Sequence, residues 1–416
     1  MAIHKPSSDI HHQDELPTLY QNADQQSLSV SAAKYLNFHG TEFHQDVIVG
    51  ALGPYIYTAA GRRILDWTSG QMACLLGHGN PEIVEVITKH AMHLDHLFSG
   101  MISPPVISLA ERLCNALPPG LDRALFLSTG GESNEAAIKM AKMYTGKFEV
   151  VALGASWHGM TGQAIAAQFH FGRKGHGPLM PGMHMLPRPN GYRSVFRMPD
   201  GSYDWKTELD YGFDMIDSQS CGSLAACIVD IAAFEEHGIV PDILTLSKTL
   251  GNGLPLSAVV TSDDINQVCK EKGFFFVTTH VNDPIPAAVG DKVLEIILRD
   301  NVIEGARKSG ERLFDGLYKL KERYGCIGDV RGRCLLAGVE IVTDRESKTP
   351  ALDLAAKIGD KAYELGVWAN LSTHQSFGGV FRIAPPITAT EEQIDEGLDM
   401  LERAFASVEG TLPLYH

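Results

Sequence analysis

The chain has 416 residues, of which 44% are hydrophobic and 20% charged, and its formal net charge is −15. This is a globular composition, long enough for two or three units around large cores, and the acidity excludes a nucleic-acid partner, which needs a basic face. Seven dispersed cysteines without a CxxC pair exclude a disulfide framework or zinc cluster and fit a reducing compartment.

In chain order, residues 1–30 read as a polar arm, where His4, His11 and His12 fit a frayed tail better than a metal site. Neither a signal-peptide core nor a run of about 18 apolar residues occurs, so the expectation is a cytoplasmic protein with no membrane partner. Residues 47–65 alternate as short strands joined by glycine turns. Asn80, Pro81 and Glu82 open a helix that runs to about His93, and a second helix follows over about 105–116. ALFLS (124–128) is a buried strand, TGG (129–131) a turn, and ESNEAAIKMAKMYT a helix stopped by Gly146. FEVVALG, LAACIVD (224–230) and ILTLSK (243–248) are further strands, and residues 173–205, rich in Gly and Pro, read as an irregular excursion. Strand, glycine loop and helix in alternation predict an α/β core with a mostly parallel sheet. Beyond about residue 300 come helices over 302–324 and 391–406, with the strands CLLAGVEIV and GGVFRIAPP between them, as in a smaller α+β unit. The division expected is 1–80 as arm and part of the small domain, 81–305 as the large domain, and 306–416 as the rest of the small domain.

Several residues invite a chemical reading. Thr129, Gly130 and Gly131 precede a helix whose first N–H groups lack partners, which suits a phosphate, although an ordinary tight turn is the plainer reading of these residues alone. Lys248 ends a strand before TLGNGLPL, where a partly desolvated amine can condense with an aldehyde; a surface lysine is the plainer alternative. Trp157, beside His158 at a strand end, can stack on a flat cofactor or fill a core. Arg382 can grip a carboxylate with two hydrogen bonds, or serve a structural ion pair.

Taken in order, these segments resemble the class III pyridoxal-phosphate (PLP) aminotransferases of fold type I, and within them the 2,2-dialkylglycine decarboxylases. The resemblance runs from about residue 40 to the C-terminus. It rests on DWTSGQM (66–72), LDHLFSGM (94–101), LSTGGESNEAAIKMAK (127–142), SWHGMTG (156–162), PDILTLSKTLGNGLPL (241–256), TTHVNDP (278–284), IGDVRGRCLLAGVEIV (327–342) and GGVFRIAPP (378–386). It implies that Lys248 anchors PLP and moves protons. Thr129, Gly130 and Gly131 would cradle the phosphate, Thr279 would reach a neighbouring subunit's phosphate, and Trp157, flanked by His158, would stack on the pyridine. Arg382 would hold the substrate carboxylate, and Gln71 and Met72 would bias which bond at the α-carbon breaks. It further implies a K+ or Na+ ion at Leu97, Ser99, Thr279, Val281 and Asp283, an amino acid and a 2-oxo acid as substrates, and a homodimer or homotetramer. An ω-amino-acid:2-oxo acid transaminase is the alternative activity.

One family element is absent. The aspartate motif that pairs with the pyridine nitrogen, written DE(A/V)QTG(F/V)GRTG, is not found, and Asp230 lies only 18 positions before Lys248. This reads as an internal shortening of about 40 to 50 residues near 230–234, from a coding-sequence error or a true isoform. The central sheet is then expected to lack a strand. Buried backbone groups left unpaired cost roughly 1–3 kcal/mol each, against a net stability of about 5–15 kcal/mol. An inactive isoform that only binds other subunits is therefore a further alternative, and Asp230 is the one acid placed to substitute.

Overall fold

The computed structural model describes residue 20 and residues 23–230, 237–372 and 378–409. His4, His11, His12 and residues 231–234 of the expected shortening lie outside them.

Strands β1 (Ile48–Leu52), β2 (Tyr55–Thr58) and β3 (Arg63–Asp66) form an antiparallel meander. The polar arm expected over 1–30 is not all irregular, because a helix spans Gln25–Tyr35, with Asp24 accepting a hydrogen bond from Ser27 N at its start.

The large unit holds β4 (Arg123–Leu127), β5 (Glu149–Leu153), β6 (Met183–Leu186), β7 (Leu224–Ile228), β8 (Ile243–Leu246) and β9 (Ser257–Thr261). β6 falls inside the stretch expected to be irregular; the strand MHML buries three of its four residues although glycine and proline crowd its flanks. These strands make two sheets of three, in the orders β4-β9-β8 and β6-β5-β7. The second is parallel throughout, as expected. In the first, β9 runs antiparallel to both neighbours, so the expectation of a mostly parallel sheet holds for only half of the unit.

The helix Gly130–Thr145 covers both sheets. Its Ala137 and Met140 pack with Val259 of β9, and Ile138 packs with Val150 and Ala152 of β5. β7 and β8 both lie beneath this helix, and among the described residues each is paired on one side only. Their residues are mostly half-buried, whereas every residue of β9 is buried.

The C-terminal unit is built from β10 (Ile327–Arg333), β11 (Leu336–Ile341), β12 (Val367–Trp368), β13 (Asn370–Ser372) and β14 (Gly379–Ile383). β12 pairs with β3, which joins the N-terminal meander to this unit. The helices Val302–Arg323 and Glu391–Glu409 pack on it, with Trp67, Leu313, Phe381 and Phe405 fully buried in one core.

Candidate active site

The site is assembled where strands end. β4 runs into Thr129, whose hydroxyl accepts from Glu132 N at 3.2 Å, while the Glu132 carboxylate accepts from Thr129 N at 3.1 Å and Ser128 N at 2.9 Å. This reciprocal cap leaves the N–H groups of Gly130 and Gly131 at the helix start without intrahelical partners. Gly159, at φ +134°, closes on the same turn: a Cβ there would lie 2.5 Å from Gly131 Cα. The cradle is thus made of backbone, with glycines where a side chain would fill it, and it suits a tetrahedral anion.

Lys248 follows β8 and opens a short 3-10 turn in the left-handed region, at φ 52°. A non-glycine residue held there is strained and fixed by its surroundings. Ser247, just before it, packs on Gly130. Asn134 of the covering helix accepts from Thr245 Oγ1 at 2.9 Å and donates to His158 O at 2.7 Å, so one side chain sets β8 relative to the Trp157–His158 loop.

Trp157 stacks on His170, with centroids 5.0 Å apart and planes 11° apart, and is still 53% exposed. The Trp157 backbone N–H donates to Asp230 Oδ2 at 3.3 Å, and the other Asp230 oxygen lies 3.6 Å from His158 Nδ1. Burial lowers the His158 pKa, and the Asp230 charge opposes that shift. Asp230 is the carboxylate found beside the aromatic plate among the described residues.

On the other wall, Arg382 of β14 donates to Asn370 Oδ1 at 3.0 Å. It is open to solvent in the single chain, but enough protein surrounds the guanidinium that desolvation lowers its pKa. Gln71 and Met72 end a tight turn over Ser69–Met72 in which Ser69, Gly70 and Met72 all have positive φ. Ser69 Oγ donates to Ala384 O at 2.7 Å, which seats this turn two residues beyond Arg382.

The structure thus brings Thr129, Gly130, Gly131, Trp157, His158 and Lys248 together on one side, and Gln71, Met72 and Arg382 together on the other. Thr279 is exposed, and no hydrogen bond joins it to the Thr129–Gly131 turn among the described residues. Of the expected cation ligands, Leu97 and Ser99 are half-buried and Val281 buried. Asp283 accepts from His96 Nδ1 and His280 Nδ1, each at 2.5 Å, which draws residues 96–99 to residues 279–283.

The Aminotransferase class-III family pattern matches this chain over residues 39–231 and 216–405. The chain belongs to the class-III aminotransferase family. An uncharacterized aminotransferase of Schizosaccharomyces pombe is 45% identical, over 90% of this chain and 93% of that protein. The alanine–glyoxylate aminotransferase 2 homolog 2, mitochondrial, of Arabidopsis thaliana is 32% identical, over 84% of this chain and 80% of its own. Among solved structures, an (S)-enantioselective omega-transaminase from Thermomicrobium roseum superposes with TM-score 0.84 at 25% identity, over 92% of this chain and 99% of that one.

As a class-III aminotransferase the protein is a PLP-dependent enzyme of fold type I. The donor set fits that cofactor in three respects: an amide cradle for the phosphate, an aromatic plate, and a lysine at a strand tip. Sequence reading overlooked Ser247, Gly159 and Asn134, whose roles depend on approach between distant segments. It gave no role to Asp66, which opens the DWTSGQM stretch, or to His78, six positions beyond that stretch.

Proposed function

We propose that the chain transfers an amino group between an amino donor and a 2-oxo acid, with a small amine or ω-amino acid as donor. The observation that carries this reading is the convergence of the Lys248 turn, the Thr129–Gly131 cradle, the open Trp157 face and Arg382. PLP, when bound, supplies a protonated pyridine ring that withdraws electrons from the substrate α-carbon. Thr129, Gly130 and Gly131 hold its phosphate and Trp157 its ring. Arg382, steadied by Asn370, takes the substrate carboxylate through paired N–H groups and so turns the α-carbon toward the lysine. The Lys248 amine takes a proton from that carbon and returns one for the product. The (S)-selective omega-transaminase named above supports a small-amine donor.

A second reading, decarboxylation-dependent transamination of a dialkylglycine, is favoured by the SGQM turn, which presents Gln71 and Met72 from a strained backbone. Carbon dioxide release from 2-aminoisobutyrate with pyruvate separates the two. Transamination of amines without carbon dioxide leaves the first reading standing. A K+ or Na+ ion at Leu97, Ser99, Thr279, Val281 and Asp283 belongs to the second reading. Its support is the His96–Asp283 contact that brings the two ligand-bearing segments together. A melting temperature higher in K+ or Na+ than in tetramethylammonium, and lowered in Asp283→Ala, is its test.

The reading also includes a shortened central sheet. β7 and β8 lie under one helix, each paired on one side only among the described residues, and the two stretches matching the family overlap over residues 216–231, across β7. The alignment to the Schizosaccharomyces relative has 417 positions, roughly 40 more than 90% of a 416-residue chain provides. A strand bearing the pyridine-nitrogen aspartate fits that gap, and Asp230 is the remaining acid beside the plate. Activity is then expected to be low, with the chain retaining its subunit-binding surfaces in a dimer or tetramer. Borohydride reduction with PLP, followed by mass mapping of Lys248, tests cofactor capture. Absence of label on folded protein leaves only the subunit-binding role.

A further inference from the structure

We propose that His78, paired with Asp66, is a positioning residue for the substrate: it fixes the Ser69–Met72 turn relative to both the Lys248 turn and the Arg382 strand. The inference rests on the reading of Gln71 and Met72 as substrate-facing residues.

Asp66 ends β3 and is 2% exposed. Its Oδ1 accepts from Thr68 N at 3.0 Å and Thr68 Oγ1 at 2.7 Å, and its Oδ2 accepts from Gly70 N at 2.6 Å. His78 Nε2 lies 2.9 Å from the same Oδ2. A buried carboxylate with this many donors is a strong local organiser, and it clamps a backbone in which Ser69, Gly70 and Met72 all adopt left-handed φ. The clamp works alongside the Ser69–Ala384 hydrogen bond to hold those angles.

His78 sits where three walls of the site meet. Beside it, Cys74 Sγ would lie 3.7 Å from a Cβ on Gly70 and 3.1 Å from one on Gly253. Asn252, at the end of the Lys248 turn, accepts from Leu76 N at 2.8 Å and donates to Gly77 O at 3.3 Å, so the peptide leading into His78 is bound to the lysine's own turn. On the far side, Ala384 N donates to Trp67 O at 2.6 Å and Ser69 Oγ donates to Ala384 O, which joins the end of β3 to the end of β14. The groups acting electrostatically on His78 are Asp66 and Cys74. Its hydrogen bond to Asp66 is the first cause of a pKa raised to about 9, so the ring is a cation at neutral pH and the pair is ionic.

The test compares His78→Gln, which keeps an N–H donor near the position of Nε2, with His78→Leu, which removes it. Two readouts are used on the full-length protein: amine-transfer kinetics of the PLP-loaded chain, and amide exchange of residues 69–76 in the chain without cofactor. His78→Leu is expected to lose about 100-fold in donor kcat/KM, as a misplacement near 1 Å does. Its PLP content and borohydride labelling of Lys248 should stay native, while residues 69–76 lose protection. His78→Gln should lie within several-fold of the native protein in both readouts. A His78→Leu protein with native kinetics and native exchange overturns the proposal. So does a His78→Gln protein as impaired as His78→Leu, since the donor would then not be what matters. If the native chain takes up no PLP, the transaminase reading falls. The exchange contrast between the two variants still decides whether His78 positions the turn.

Discussion

Gly130, at the helix N-terminus, and Ser247, the residue before Lys248, are packed so closely that a methyl group on Gly130 would sit 2.8 Å from Ser247 Oγ. The contact ties the Thr129–Gly131 turn to the residue before Lys248 through the Ser247 side chain. Gly130→Ala should therefore displace one or the other and weaken PLP binding by at least about ten-fold, or about 1.4 kcal/mol. Because the clash is with a hydroxyl, Gly130→Ala combined with Ser247→Ala should recover part of that loss. Absorbance titration with PLP measures both. Simple additivity of the two substitutions would show that the contact does not govern the cradle.

Under the proposed function Arg382 offers a planar fork to the substrate carboxylate, and Asn370 Oδ1 accepts from one of its N–H groups. Arg382→Lys keeps the charge and loses the fork. KM for the 2-oxo acid should rise about ten- to hundred-fold, with PLP content unchanged. Asn370→Ala should produce a smaller rise in the same direction. Steady-state kinetics with varied 2-oxo acid reads both, and an unchanged KM in Arg382→Lys would remove the assigned carboxylate contact.

Much of this site could be read from local patterns. Thr129 and Glu132 spell a helix cap, and the glycines that follow announce a backbone that a phosphate can approach. Asn80 and Gly146 likewise bound their helices where the sequence places them. What could not be read is what depends on contact between remote segments. β6 was hidden because its four residues lie among glycines and prolines, and only pairing with β5 makes them a strand. The antiparallel direction of β9 was hidden because strand direction leaves no mark on composition. Asp66 and His78 were passed over for a related reason, since an Asp and a His twelve positions apart read as turn residues until the chain folds back.

The same pair gives stability a pH signature. His78 titrates near 9 in the folded chain, above the ordinary histidine value of about 6.5. Its contribution is thus complete below about 6.5 and is lost as pH rises through about 9. Burial alone would raise the Asp66 pKa, yet hydrogen bonds from His78, Thr68 and Gly70 bring it below its usual value. Its contribution is therefore present above about 4 and lost in stronger acid. Urea unfolding between pH 6 and 10 should show stability falling from about 6.5 and levelling off near 9 in the native chain. In His78→Gln that decline should flatten, and an identical alkaline slope in both proteins would locate the titrating group elsewhere.

The divided sheet predicts where the molecule opens. Among the described residues β8 pairs on one side only, with β9, and its residues are half-buried, whereas β9 is held on both sides and buried throughout. A strand with a free edge exposes half its amides and opens at lower free energy than a central strand. Residues 243–246 should accordingly exchange hydrogen at least about ten-fold faster than residues 257–261, although the two strands are direct neighbours. Leu224–Ile228 should resemble β8, since β7 borders the same gap. Because Lys248 and Asp230 extend from these two strands, PLP should slow exchange at both if it binds between them. Equal protection of β8 and β9 in the unliganded chain would mean that the β8 edge is covered, and the one-strand gap would have to be given up.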